Sequence, residues 1–359
     1  MSHPVRRFTL WSALLGSLTL SLLTSVQAQY KRFNLVANQS GKALHVDSDL
    51  VNAWGLAFSS TGPFWLSDNG TGLSTLYSGP GVKQSLVVTI PSASGAGNGS
   101  PTGIVFNSSS DFVISSNGQS GAAVFLFATL DGTISGWSPS VDATNAIIAV
   151  NNSKSGAAYT GLAITTDNLN GTNYLFAADT VNNKVDIYDG NFNFVRSFTD
   201  PMAPAGFTPY GIQDIGNSVY VTYASITSGS GGLVDVYSES GDLMKRLIAG
   251  NPLNQPWGLA VSPGNFGPLS NALLVSNNTP SGTINAFDRH TGKFIGTIRD
   301  TKGKPITIDQ LWGIAFGAGN SMNGNRNQLF FTAGPNEYVD GIFGAITLAP
   351  GTSGARKHK

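Results

Sequence analysis

Asp68, Asn69, Asn117, Asp179 and Asn277 each stand just after a short strand-like run, and Trp54, Trp257 and Trp312 each stand just before a Gly. Gathered at one place, these residue types could do two things. Carboxylate and amide oxygens suit a hard cation such as Ca2+, and Asn, Asp and aromatic faces suit a polyhydroxyl ligand. Asp68, Asn117, Asp179 and Asn277 are the candidate ligands of a divalent ion. The same residue types also cap turns by bonding nearby backbone N–H groups, while Trp packs between layers. Both readings stand at this point.

Other chemistry is hard to assemble. The chain has no Cys, so thiol nucleophiles, disulfides and Cys-bound metals are excluded. Its 359 residues include two Glu, Glu239 and Glu337, and four His. A Ser-His-Asp arrangement needs an imidazole base, and a His-bound zinc needs several imidazoles. His290 precedes a turn at Gly292 and His358 lies in a basic tail, leaving His45 alone as an expected loop residue. The Gly-rich stretch from Ser92 to Ser100 lacks the Lys of a phosphate-binding loop. With 20 Lys and Arg against 20 Asp and Glu, no electrostatic footprint for nucleic acid is expected.

The elements that would position these residues follow from repetition. Trp54-Gly55-Leu56-Ala57-Phe58 recurs as Thr102-Gly103-Ile104-Val105-Phe106 and as Thr160-Gly161-Leu162-Ala163-Ile164. Tyr210-Gly211-Ile212, running on to Ile215, is the fourth copy; Trp257 to Val261 and Trp312 to Phe316 are the fifth and sixth. Successive glycines are 48, 58, 50, 47 and 55 residues apart, the period of a four-stranded propeller blade. Within each unit, short alternating runs are separated by Asn, Asp and Gly turns. With 44 Gly and 11% charged residues, the composition agrees with turn-rich β-structure.

The fold predicted is therefore all-β: a six-bladed β-propeller of four-stranded antiparallel blades. The sixth unit runs short, and the strand at Phe33 to Ala37 is available to complete it and close the ring. A two-sheet sandwich is the rival. Unit two is the longest, and its extra length is assigned to an extended hairpin between Ala122 and Pro139. In such a ring the innermost strand of each blade lines the axis. Asp47, Asp49, Asn52, Gln255 and Gln310, ahead of these strands, would then share one face with the Asp and Asn candidates, with the three Trp and Tyr210 near the rim. Of the two Glu, only Glu337 would approach the axis.

Thr160 to Phe198 resembles an NHL-type repeat in its Gly161-Leu162 opening, its Ala178-Asp179 close, Asn183 in the turn, and Val185, Ile187 and Tyr188. Through Trp54-Gly55-Leu56, Ser67-Asp68-Asn69 and the repeated Trp-Gly start, nearly the whole chain beyond its leader resembles a family of uncharacterised exported bacterial propeller proteins. Some members of that family carry a PEP-CTERM sorting tail; no Pro-Glu-Pro motif occurs here, so that sorting route is not expected. Gluconolactonase-like and paraoxonase-like propellers hold a metal with Glu, Asn and Asp, and the Glu has no counterpart in Val51-Asn52-Ala53-Trp54.

Arg6 and Arg7, the apolar run from Phe8 to Leu23, and Val26-Gln27-Ala28 read as a secretory leader. The expected organisation is a signal peptide at 1–28, the propeller at 29–350 and a basic flexible tail at 351–359. The mature chain is expected to be periplasmic or extracellular, without a membrane span, monomeric, and to meet a small ligand, glycan or protein on the propeller face. The leading expectation for function is a binding module without chemistry of its own. The alternative is a divalent-metal-dependent, lactonase-like hydrolase or lyase, with Ca2+ or another divalent ion as cofactor, and a purely structural role is third.

Overall fold

A computed structural model describes residues 29–227 and 230–350; the leader expected at 1–28 and the tail expected at 351–359 lie outside them. Six sheets stand around one axis, each a meander of four antiparallel strands, with a fifth short strand on the last. The innermost strands are Ala53–Ala57, Pro101–Phe106, Tyr159–Thr166, Phe207–Asp214, Pro256–Val261 and Leu311–Phe316. Each lies beside the next, and the sixth lies beside the first.

The repeated Gly is explained by how closely these strands approach. A Cβ on Gly55 would lie 2.5 Å from the Thr102 carbonyl oxygen, one on Gly103 2.5 Å from the Leu162 nitrogen, and one on Gly258 2.6 Å from the Trp312 carbonyl oxygen. No side chain fits there. Hydroxyls then tie neighbouring blades together across the same gap. Thr102 Oγ1 donates to the Tyr159 carbonyl at 2.6 Å, Thr160 Oγ1 to that of Tyr210 at 2.7 Å, and Ser276 Oγ to that of Trp312 at 2.6 Å. Thr332 Oγ1 donates to the Trp54 carbonyl, joining the sixth blade to the first.

Second strands are covered on both faces by adjacent blades. Phe64–Asp68, Leu273–Asn277 and Leu329–Ala333 are buried at every residue, which is why each opens on three consecutive apolar residues. Six apolar clusters between the blades form the core. Among the described residues no helix is long and apolar enough to cross a membrane.

The ring closes as the sequence predicts: Tyr30–Ala37 pairs antiparallel with Ile342–Leu348, Phe33 opposite Ala345. Two expectations need correction. In blade two the second and third strands are Phe125–Thr129 and Thr133–Trp137, so the stretch assigned to an extra hairpin belongs to the blade itself. The added hairpin is Val113–Ser116 with Gln119–Ala122; its local alternation imitates a blade strand. His45 belongs to a short parallel strand, His45–Val46, on the outermost edge of the sixth sheet. It stands in a strand far from the axis, not in the loop expected of it.

Candidate functional site

The axis has two ends, one where the inner strands begin and one where they finish. At the first, Trp54 stacks on Trp312 with centroids 3.6 Å apart, and Trp257 meets them edge-on at 6.1 and 5.8 Å. Tyr210 adds a fourth ring 5.9 Å from Trp312, and Tyr338 a fifth at 5.8 Å. Trp257 Nε1 donates to the Thr160 carbonyl and Trp312 Nε1 to Asn52 Oδ1, both at 3.1 Å. Asn52, Gln255 and Gln310, two residues ahead of each Trp, take left-handed φ values of 48°, 51° and 48°. This repeated turn feeds each indole inward. The Trp residues expected at the rim therefore plug the axis.

The expected oxygen donors at this end serve turns and neighbouring strands. Asp68 Oδ2 accepts from the Thr75 N–H at 3.0 Å and Thr75 Oγ1 at 2.7 Å, and burial pushes its carboxyl well above the usual carboxylate range. Asn69 Oδ1 accepts from Asn52 Nδ2, while its own Nδ2 donates to the Pro101 carbonyl. Asp179 accepts from the N–H groups of Ala158 and Asn182 and from Asn182 Nδ2. Asn277 accepts from the Asn254 N–H and donates to the Pro252 carbonyl. Asp47 joins Tyr77 and Lys83 in the outer part of blade one.

Asn117 is a clear correction. It sits exposed at the tip of the added hairpin with φ 51°, not after a second strand. Because that hairpin is inserted between the end of an inner strand and the start of the next, it hangs from the opposite face to Asp68, Asp179 and Asn277. The four candidate ligands thus do not share one end of the ring. Among the described residues no group of three or more His, Asp or Glu side chains is placed to hold a metal ion.

The other end is open. Below the plug the axis narrows to a cavity of about 40 Å³ walled by the repeated glycines and Trp257, and then widens into a funnel of about 530 Å³. Its wall is the last part of each repeat. The residue four positions after the Trp, Thr or Tyr start is Phe58, Phe106, Ile164, Asp214, Val261 and Phe316 in turn, and the residue before it is Ala57, Val105, Ala163, Gln213, Ala260 and Ala315.

Blade four is polar at both places. Asp214 ends its inner strand, opposite Val219, and its Oδ1 accepts from Thr165 Oγ1 of blade three at 3.4 Å. Burial, aided by the nearby negative charge of Glu239, pushes its carboxyl up to about 6. It makes no ion pair with any described residue. Asp214 is not among the residues the sequence motifs single out, although in the six copies taken position by position it is the break in an apolar column.

A relative in sequence is a mimivirus protein. The chain is 31% identical over 330 residues to uncharacterized protein R648 of Acanthamoeba polyphaga mimivirus, covering 87% of this chain and 78% of the relative. The chain belongs to the family of that protein. Uncharacterized protein L690 of the same virus is 29% identical over 338 residues, covering 89% of this chain and 86% of its own. No protein-family model matches the sequence. Among solved structures, virginiamycin B lyase from Staphylococcus aureus aligns with TM-score 0.53 at 14% identity, covering 90% of this chain and all of that one. A gluconolactonase from Xanthomonas campestris aligns with TM-score 0.52 at 13% identity, covering 84% and 87%. At such identities the likeness is one of fold, and it supports the six-bladed ring.

Proposed function

We propose that the protein is a non-catalytic binding module whose ligand site is the funnel at the open end of the axis. One observation carries this reading: the end rich in Asp and Asn is filled by five aromatic rings, while the opposite end holds a cavity of about 530 Å³ walled by five apolar blades and one polar one. Ligand clefts typically span ~300–1,000 Å³, largely apolar with a few convergent polar groups. The funnel has that make-up.

The metal-dependent hydrolase is the weaker reading because its four residues lie at two ends of the ring, and Asp68 spends one oxygen on Thr75. The fold-sharing neighbours include a lyase and a lactonase, and turnover abolished by Asp68→Ala or Asp179→Ala would restore that alternative. Location outside the cytoplasm belongs to the same proposal and rests on the leader-like residues 1–28. N-terminal sequencing of the secreted chain, expected to begin at Gln29, tests it.

The funnel itself is tested by titrating 1-octanol calorimetrically into the protein and into Ala315→Trp, which places an indole in the cavity. Saturable binding that Ala315→Trp removes is the expected result. Binding untouched by that substitution would move the site elsewhere.

A further inference from the structure

The geometry points to a ligand with an apolar body and a protonated amine, the amine bound by Asp214. This inference rests on the funnel being the binding site and adds the chemistry of the ligand. Five of the six repeats end at the funnel in Phe, Ile or Val, and the fourth ends in Asp. A carboxylate placed in an apolar wall is costly unless something compensates it. The protein supplies partial compensation: a long hydrogen bond from Thr165 and one from the backbone at Ser218, with no cationic partner among the described residues.

The charged group acting on Asp214 from a neighbouring element is Glu239, in the turn between the third and fourth strands of blade four, and it has the same sign. Glu239 is itself held by Asn168, on the loop after the inner strand of blade three. Asp214 is the one carboxylate among the funnel's lining residues, and the nearby negative charge of Glu239 adds to its preference for a cation over an anion or a neutral head. A primary ammonium can donate to Asp214 while its chain lies against Phe106 and Phe316 on the wall. A charge-assisted hydrogen bond of this kind is about twice as strong as a neutral one.

The same tail on three heads separates head recognition from tail recognition. Octylamine, 1-octanol and sodium octanoate are titrated into the full chain and into Asp214→Asn at pH 7.5, with thermal unfolding as the check that the variant folds. Octylamine is expected to bind the unsubstituted protein about tenfold more tightly than octanol, as a charge-assisted bond over a neutral one implies, and octanoate least tightly. Asp214→Asn should erase the advantage of the amine over octanol.

A second measurement needs no variant. The amine affinity of the unsubstituted protein should decline as pH falls through about 6, where Asp214 takes up its proton, while octanol affinity stays level. Equal affinities for amine and alcohol, or an amine advantage that survives in Asp214→Asn, would overturn the inference and leave the funnel standing as an apolar site. Failure of all three probes to bind the folded protein would overturn the inference and the funnel together.

Discussion

The two ends of the axis are built from the same six repeats and put to opposite use. Where the inner strands begin, Trp54, Trp257 and Trp312 lie in three consecutive blades and close on one another across the axis. Where the strands finish, four residues later, the side chains are Phe, Ile, Val and Asp, and a funnel of about 530 Å³ remains between them. A ring of inner strands leaves a tapered space that must be filled or used. Trp fills it at one end with stacked apolar area, and shorter side chains leave it open at the other. The difference teaches that aromatic residues at repeat starts hold the ring together, and that function is to be sought where one repeat departs from the rest.

That contrast is most exposed to Trp312→Ala. Trp312 is 1% exposed and touches Trp54, Trp257, Tyr210 and Tyr338, so its removal should cost about 4 kcal/mol, the range for a fully buried aromatic. Chemical denaturation would measure the loss, while octanol binding to the folded fraction stays unchanged. A loss below about 1 kcal/mol would show that the rings do not function as a plug. Next comes the glycine waist. Gly258→Ala puts a Cβ 2.6 Å from the Trp312 carbonyl and 2.8 Å from Ser276 Oγ, backbone and latch together, and overpacking of this kind costs about 2–3 kcal/mol. At the open end Phe316→Ala should do the reverse of Trp312→Ala. Phe316 is only half-buried, so stability should fall by about 1.5 kcal/mol, while octanol binding weakens about fivefold as the wall loses apolar contact.

The sequence displays the ring well for the same reason that Gly258→Ala should be damaging. A position where any Cβ strikes the next strand admits only Gly, so the close approach repeats visibly at Gly55, Gly103, Gly211, Gly258 and Gly313, with Gly161 a looser case at 3.0 Å. The N-terminal closure is legible too, because the sixth unit lacks a strand that Tyr30–Ala37 supplies. The site is less legible. Asp179 and Asn277 look alike whether they bind an ion or cap a turn, and only the position of the Ala158 and Asn254 N–H groups shows the second use. Asn117 was misplaced because Val113–Ser116 alternates like a blade strand, and nothing local distinguishes an inserted hairpin from the blade around it. Whether Trp54 points across the axis or onto the rim depends on strand tilt, which the residue pattern does not carry. Asp214 was visible all along as a charged residue in a column of Phe, Ile and Val.

The smallest effect concerns that residue and has the opposite sign to the others. Folded Asp214 keeps its proton up to about pH 6, whereas an unfolded Asp releases it near pH 4. Between those values the folded state binds more protons than the unfolded one, so this group's contribution to stability falls as pH rises. Above pH 6 the cost of the ionised carboxylate is fully present; below pH 4 it is absent. Asp214→Asn should therefore be more stable than the parent at pH 8, and the two should converge at pH 3.5. Because the carboxyl is only half-buried, solvent screening holds the gain to about 1 kcal/mol. A gain that persists unchanged at pH 3.5 would trace to packing, and a loss at pH 8 would mean that Thr165 and the backbone already compensate the charge. In either case the argument that Asp214 awaits a cation from outside would lose its physical basis. The expected outcome is the trade-off seen when a binding group is kept at the expense of the fold: a carboxylate that destabilises the empty ring and is stabilised when an ammonium arrives.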